Sequence, residues 1–164
     1  MTPEASRIPE HNHAREEFTN IRVARDKQGN SRWFTGEKEI INHKVISHFK
    51  QHLFRDAKGI YIYQTFRQFA EKGYIKVEGP LLSVFRVDGD VITLDSLDTI
   101  PVNEVHVIQN ADDEALYVFY PRLQCYAGVG ASVAPDFAAL IEEKDGQMLL
   151  GGKPIENHTI SAWC

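Results

Sequence analysis

Turn residues cut this 164-residue chain into short runs in which apolar and polar side chains alternate, and no part of it follows a strand-helix-strand rhythm. Alternation with period two marks strands that cover one face. Ile21-Arg22-Val23 and Trp33-Phe34 flank the turn-forming residues 26–30 and predict a hairpin. Ile60 and Ile62 point one way and Tyr61 and Tyr63 the other, residues 66–69 continue the extended chain, and residues 74–78 predict the next strand. Asp88-Gly89-Asp90 joins β-rich residues 81–87 to 91–94 as a hairpin, and residues 102–109 and 116–120 add further strands.

Two stretches change period. After Asn42, a residue suited to capping, Val45, Ile46, Phe49 and Leu53 fall on one arc and predict a helix over residues 42–54. A second helix is predicted to enter at Ser132 or Ala134, with Pro135 and Asp136 in its first turn and Phe137, Leu140 and Ile141 inward, and to end at Asp145-Gly146. The expected class is α+β: an antiparallel, meander-rich sheet with two main helices, built as two related strand-turn-helix halves. Residues 1–18 are a polar lead-in expected to be mobile, and residues 19–164 one domain with lobes over 19–79 and 80–164.

The octet Gly-x-Lys-x-Ile-x-Asn-His occurs twice, at residues 36–43 and 151–158, each time after an apolar pair. Both copies predict strand, turn and helix entry, with only residues 159–164 left for a second helix.

Composition excludes several classes. The charge is 18 − 23 = −5 and basic residues are scattered among acidic ones, which argues against nucleic acid. No apolar run suggests secretion or membrane insertion. Cys125 and Cys164 match no zinc or redox spacing, so two free thiols in a reducing cytoplasm are expected.

The strings WFTGEKEI, GIYIY and EKGYIKVEGP, with Trp33, Gly36, Ile40, Gly59, Tyr61, Glu71, Lys72, Ile75, Val77 and Glu78 in place, resemble the bacterial domain-of-unknown-function family 1285. The closing ALYVFYPRLQCYAGVGASVAPDFAALIE is similar to that family's last strand and helix, so the resemblance runs over residues 21–152. Gly79 stands where the family has an acidic residue, and Arg122 is offset from the family's arginine. The resemblance implies an α+β fold of two related halves, ligand binding or signalling, and no established activity.

Candidate chemistry is sparse. His48 and His52 lie one helical turn apart without a third ligand or an intervening Glu, His11 and His13 sit on the lead-in, and no metal is expected. GVGAS, residues 128–132, lacks the rest of a phosphate-binding fingerprint. Tyr74, Lys76 and Glu78 share a strand face that water or a polar ligand must meet. With Tyr61, Tyr63, Arg67 and Glu71 they form the expected binding site. The leading expectation is a non-catalytic module with no cofactor, binding a small molecule or a protein partner in a groove between its halves, in a regulatory or signalling role. A second reading is a small hydrolase or lyase using Glu71 or Glu78 and a His, and a third is a structural homodimer subunit.

Overall fold

The turn residues do most of the punctuation in the computed structural model, which describes residues 11–27 and 30–164. Strand β1 (Arg15–Arg25) pairs antiparallel with β2 (Ser31–Thr35), closed by Asp26 N–H donating to the Asn30 carbonyl at 2.9 Å; residues 28–29 of that turn lie outside the described residues. Strand β3 (Lys38–Glu39) folds back on β2. Helix α1 (His43–Lys50) follows, then β4 (Leu53–Asp56), β5 (Gly59–Phe66) and β6 (Phe69–Val77). These strands form a six-stranded sheet in the order β3-β2-β1-β6-β5-β4.

The second half opens with β7 (Leu82–Asp88), β8 (Val91–Leu94), β9 (Thr99–Pro101) and one 3-10 turn (Val102–Glu104). It continues through β10 (His106–Asn110), β11 (Leu116–Tyr120), β12 (Cys125–Gly128) and the short helix α2 (Ala134–Ala138). Strands β13 (Ile141–Lys144), β14 (Gln147–Leu150), β15 (Lys153–Pro154) and β16 (Glu156–His158) complete it. The seven-stranded sheet runs β16-β10-β11-β12-β7-β8-β9, and β13-β14-β15 form a third sheet.

Among the described residues 53% are strand and 11% helix, so the fold is mainly β rather than α+β. Nor is the sheet a plain meander. Parallel pairings of β1 with β6, β7 with β12 and β10 with β16 stitch antiparallel runs together. No helix among the described residues is long and apolar enough to cross a membrane.

Both helices are shorter than their periodicity predicts. Helix α1 stops at Lys50, because Leu53 is wholly buried as a strand residue opposite Ile62; Val45 is left exposed and Lys50 is buried in its stead. Helix α2 stops at Ala138, because Asp145-Gly146 is a hairpin turn and not a helix end. Both residues have positive φ, 55° and 79°, the conformation that Asp-Gly favours between antiparallel strands. Residues 15–18, read as mobile lead-in, form the start of β1 through pairing with Glu71 to Tyr74, and His11 is buried; residues 1–10 lie outside the described residues.

The two octets share a hairpin. Gly36 and Gly151 have φ of 61° and 60°, and Ile40 and Ile155 donate their N–H groups to Trp33 and Met148 at 2.8 and 2.9 Å. They then diverge. Asn42 caps α1, whereas the second octet enters β16 instead of the expected helix, because residues 156–158 pair with β10.

One core cluster spans both halves, joining Val23, Trp33, Leu53, Ile60 and Ile62 to Leu81, Leu82, Ile92, Leu94, Val118 and Leu123. Two arginines cross the junction reciprocally: Arg55 donates to the Leu123 carbonyl at 3.1 Å and Arg122 to the Leu53 carbonyl at 3.2 Å. Gly79, where the similar family carries an acid, sits against the backbone of β1: a Cβ there would lie 2.7 Å from the Ala24 carbonyl carbon and the Arg25 nitrogen. At Gly151 a Cβ would fall 2.2 Å from the Val102 carbonyl oxygen, in addition to the left-handed backbone. Gly151→Ala is therefore expected to destabilise by more than about 2 kcal/mol in denaturant melts, and a loss under about 0.5 kcal/mol would mean that the 151–152 turn stands away from Val102.

Candidate functional site

The first octet, having turned back from β2, leads Glu39, Ile40 and Ile41 past Trp33 and into Asn42. The Asn42 side-chain oxygen accepts the Lys44 N–H at 3.0 Å and starts α1. From there His43, Ile46 and Lys50 recur at helical spacing on one face. That face, Ser31 to Trp33 of β2, and Ser83 from the second half enclose a cavity of about 360 Å³.

Its floor is charged. The Lys50 side chain is only 9% exposed, and its ammonium pairs with Asp95, which lies just after β8, while also reaching the Ser31 hydroxyl at 3.3 Å. The other Asp95 oxygen accepts the Ser83 N–H at 3.0 Å, and the Asp95 N–H donates to the Ser83 carbonyl at 2.9 Å, so the carboxylate is held by second-half backbone. The ion pair thus bridges the two halves. Lys50 also ends α1, where a cation meets the negative end of the helix dipole.

At the rim Arg32 donates to both oxygens of Glu39, one at 2.8 Å. Hydrogen bonds from Arg32 hold the Glu39 carboxyl below the ordinary carboxylate range, and the same contact holds the guanidinium above its own. Trp33, in the wall, is buried with its ring 6.0 Å from Phe49. Its indole Nε1 has no hydrogen-bond partner among the described residues, and an unmet buried donor costs about 1–3 kcal/mol.

The expected aromatic site has a different character. Register places Tyr61 opposite Tyr74 and Tyr63 opposite Lys72, so Tyr61, Tyr63 and Tyr74 do share a face. That face is covered. His11 stacks on Tyr63 with ring centres 3.6 Å apart and hydrogen-bonds the Tyr61 hydroxyl at 2.8 Å, and His13 reaches the Tyr63 hydroxyl at 3.2 Å. Beneath them Tyr74 donates to Asp56 at 2.6 Å and Lys72 reaches the same carboxylate at 3.2 Å, with its ammonium 5.0 Å from the Tyr61 ring centre. Burial pushes the Asp56 carboxyl up, but the bonds from Tyr74, the Lys58 N–H and Lys72 outweigh it and leave the group below the usual range. Burial, Lys72 and His13 lower the His11 imidazole.

Burial, helped by Asp56 and Tyr63, pushes Tyr61 up to about 12, and burial together with the Asp56 bond raises Tyr74 as well. A tyrosine with a raised folded pKa contributes stability that is whole below the unfolded value, about 10, and is lost as pH climbs toward the folded value. Urea midpoints are expected to fall between pH 10 and 12, and less steeply for Tyr61→Phe. An unchanged slope in that variant would mean that the hydroxyl is hydrated in the folded protein.

The remaining expected residues are not gathered there. Arg67 is exposed at the β5–β6 turn with φ of 52°, Glu71 faces the other side of the sheet in an ion pair with Arg15, and Lys76 and Glu78 are exposed and 4.0 Å apart. His52 Nδ1 lies 2.6 Å from the His48 carbonyl, and the two rings border a separate cavity with Tyr63 and Phe66. No group of three or more His, Cys, Asp or Glu among the described residues could hold a metal ion. Sequence reasoning missed Lys50, Asp95 and Trp33. The one local signal was Lys50 lying four residues beyond Ile46, on the inward arc of α1.

No family model matches the chain, and no curated protein matches it. Among solved structures, a DUF1285 family protein from Silicibacter pomeroyi DSS-3 is similar over 97% of this chain and 88% of its own, with a TM-score of 0.60 and 21% identity. A DUF1285 family protein from Shewanella baltica OS155 aligns over 74% of this chain and 91% of its own, with a TM-score of 0.47 and 12% identity. In fold, the chain resembles the DUF1285 family.

Proposed function

We propose that this protein is a binding module whose small-molecule ligand occupies the cavity between its two halves. The observation that carries this reading is Lys50, buried on the cavity wall and paired there with Asp95. Taking two charges out of water costs several kcal/mol per ion, and apolar residues of similar volume often serve stability as well or better. A lysine held on a cavity wall by such a pair supplies oriented donors that an apolar wall lacks. A larger cavity of about 630 Å³ around Leu116, Met148 and Ile155 holds no such pair. Because the pair joins the halves, ligand contact at Lys50 would be felt by both, which is the basis for a regulatory or signalling role. The acid-base reading on Glu71 or Glu78 draws less support, since surface ion pairs engage both carboxylates.

Native mass spectrometry of freshly purified protein tests the proposal and reports oligomeric state in the same spectrum. A retained small molecule, lost in Ile41→Trp, is the expected result; Ile41 is 77% exposed on the cavity wall, so the larger side chain narrows the site without disturbing the core. Retention unaffected by Ile41→Trp would place the ligand elsewhere. Cellular location turns on Cys125 and Cys164, which are joined and not free. A reducing cytoplasm and a closed disulfide make opposite demands, and alkylation of thiols in intact cells decides between them.

A further inference from the structure

The charges and hydrogen-bonding capacity of the cavity specify what it takes. Its cations are matched: Lys50 by Asp95 and Arg32 by Glu39, with His43 exposed at the mouth. An anionic ligand would bring a third carboxylate toward Asp95 when Lys50 is already neutralised, and a cationic one would approach Lys50 and Arg32. In a partly dry site either costs more than in water. An uncharged head avoids both.

The donors point the same way. A lysine ammonium has three N–H groups, and Asp95 and Ser31 use two. Ser31 accepts from Lys50, which leaves its own O–H to donate. The Ser83 backbone bonds Asp95, and its hydroxyl has no hydrogen-bond partner among the described residues. Beside Lys50 three donors therefore converge for a ligand, one each from Lys50, Ser31 and Ser83, while each Asp95 oxygen already accepts a bond. Ile40, Ile41 and Ile46 supply the apolar remainder of the wall.

We infer that the cavity takes a small uncharged molecule that presents a carbonyl oxygen, of the amide or lactone kind, to Lys50, Ser31 and Ser83, and a branched aliphatic arm to Ile40, Ile41 and Ile46. The inference rests on the reading that this cavity is the ligand site. Its volume, about 360 Å³, lies at the lower end of small-molecule sites, in keeping with a compact ligand.

Three probes sharing one arm separate the outcomes: N-methylisovaleramide, isovalerate and isoamylamine, titrated at millimolar concentration into the full-length protein. The readouts are the isoleucine methyl signals and the indole N–H of Trp33, the latter told from Trp163 in a Trp163→Phe background. The amide is expected to shift Ile46 and Trp33 saturably, at least about tenfold more tightly than either charged probe. Ser83→Ala, which keeps the backbone bond to Asp95, should weaken the amide about fivefold, as expected for one hydrogen bond. Isovalerate or isoamylamine binding as tightly as the amide, or an amide indifferent to Ser83→Ala, overturns the carbonyl assignment and leaves the cavity a ligand site. Failure of all three probes to shift Ile46 or Trp33 overturns the assignment, and the proposed function falls with it when native mass spectrometry also finds no retained molecule.

Discussion

Replacing Cys164 with serine is expected to cost about 4 kcal/mol of stability, the loss that chain entropy assigns to opening a cross-link across a sequence separation of 39 residues. The bond from Cys125 on β12 fastens the last residues of the chain. Without it they are still held. Trp163 accepts the Tyr126 N–H at 3.0 Å and lies edge-on to Tyr117 with ring centres 5.0 Å apart, and the Ile160 N–H donates to the buried Asn110 side chain at 3.1 Å. The C-terminal strap should therefore loosen and not detach. Denaturant melts of Cys164→Ser and of reduced wild-type protein should agree within error. A loss below about 1 kcal/mol in both would mean that the thiols are not joined in solution, as the sequence alone suggests.

Lys50→Met is the second large effect. It removes the ammonium and leaves Asp95 with its backbone bond from Ser83 but no counter-charge. Breaking a fully buried pair in this way costs about 3–5 kcal/mol. Asp95 keeps 22% of its side chain exposed, so about 3 kcal/mol is expected here. The double variant Lys50→Met/Asp95→Asn leaves no unpaired charge and should recover most of that loss, giving a coupling energy of at least about 1 kcal/mol in a double-mutant cycle. Additive losses would show that the two groups do not meet, and with them the bridge between the halves would fall.

Much of the chain was legible because its signals are local. Gly89-Asp90 makes the β7–β8 turn and Asn42 caps a helix, since each acts on backbone within three residues of itself. The alternation of Ile60 and Ile62 with Tyr61 and Tyr63 sorts strand faces correctly for the same reason. The motifs of the similar family likewise carried the resemblance that the fold displays. Local signals also misled where two meanings compete. Ile141 continued a helical arc, but Asp145-Gly146 closes a hairpin, and Leu53 continued another, but Ile62 claims it for a strand.

Local signals therefore fix the punctuation: where strands turn, which side chains share a face, where a helix begins, and that the whole is one chain of ordinary composition without a long apolar run. Tertiary structure decided the rest. The departure from a plain meander comes from the parallel pairing of β1 with β6 and of β10 with β16, which joins residues more than 45 positions apart. The covered tyrosine face comes from His11, 50 residues from Tyr61, and the hold on Lys50 at the cavity from Asp95, 45 residues away. Hydrophobic periodicity reports whether a side chain is covered but carries no information on what covers it, so a lysine on an apolar arc becomes part of a site only when a distant carboxylate arrives beside it.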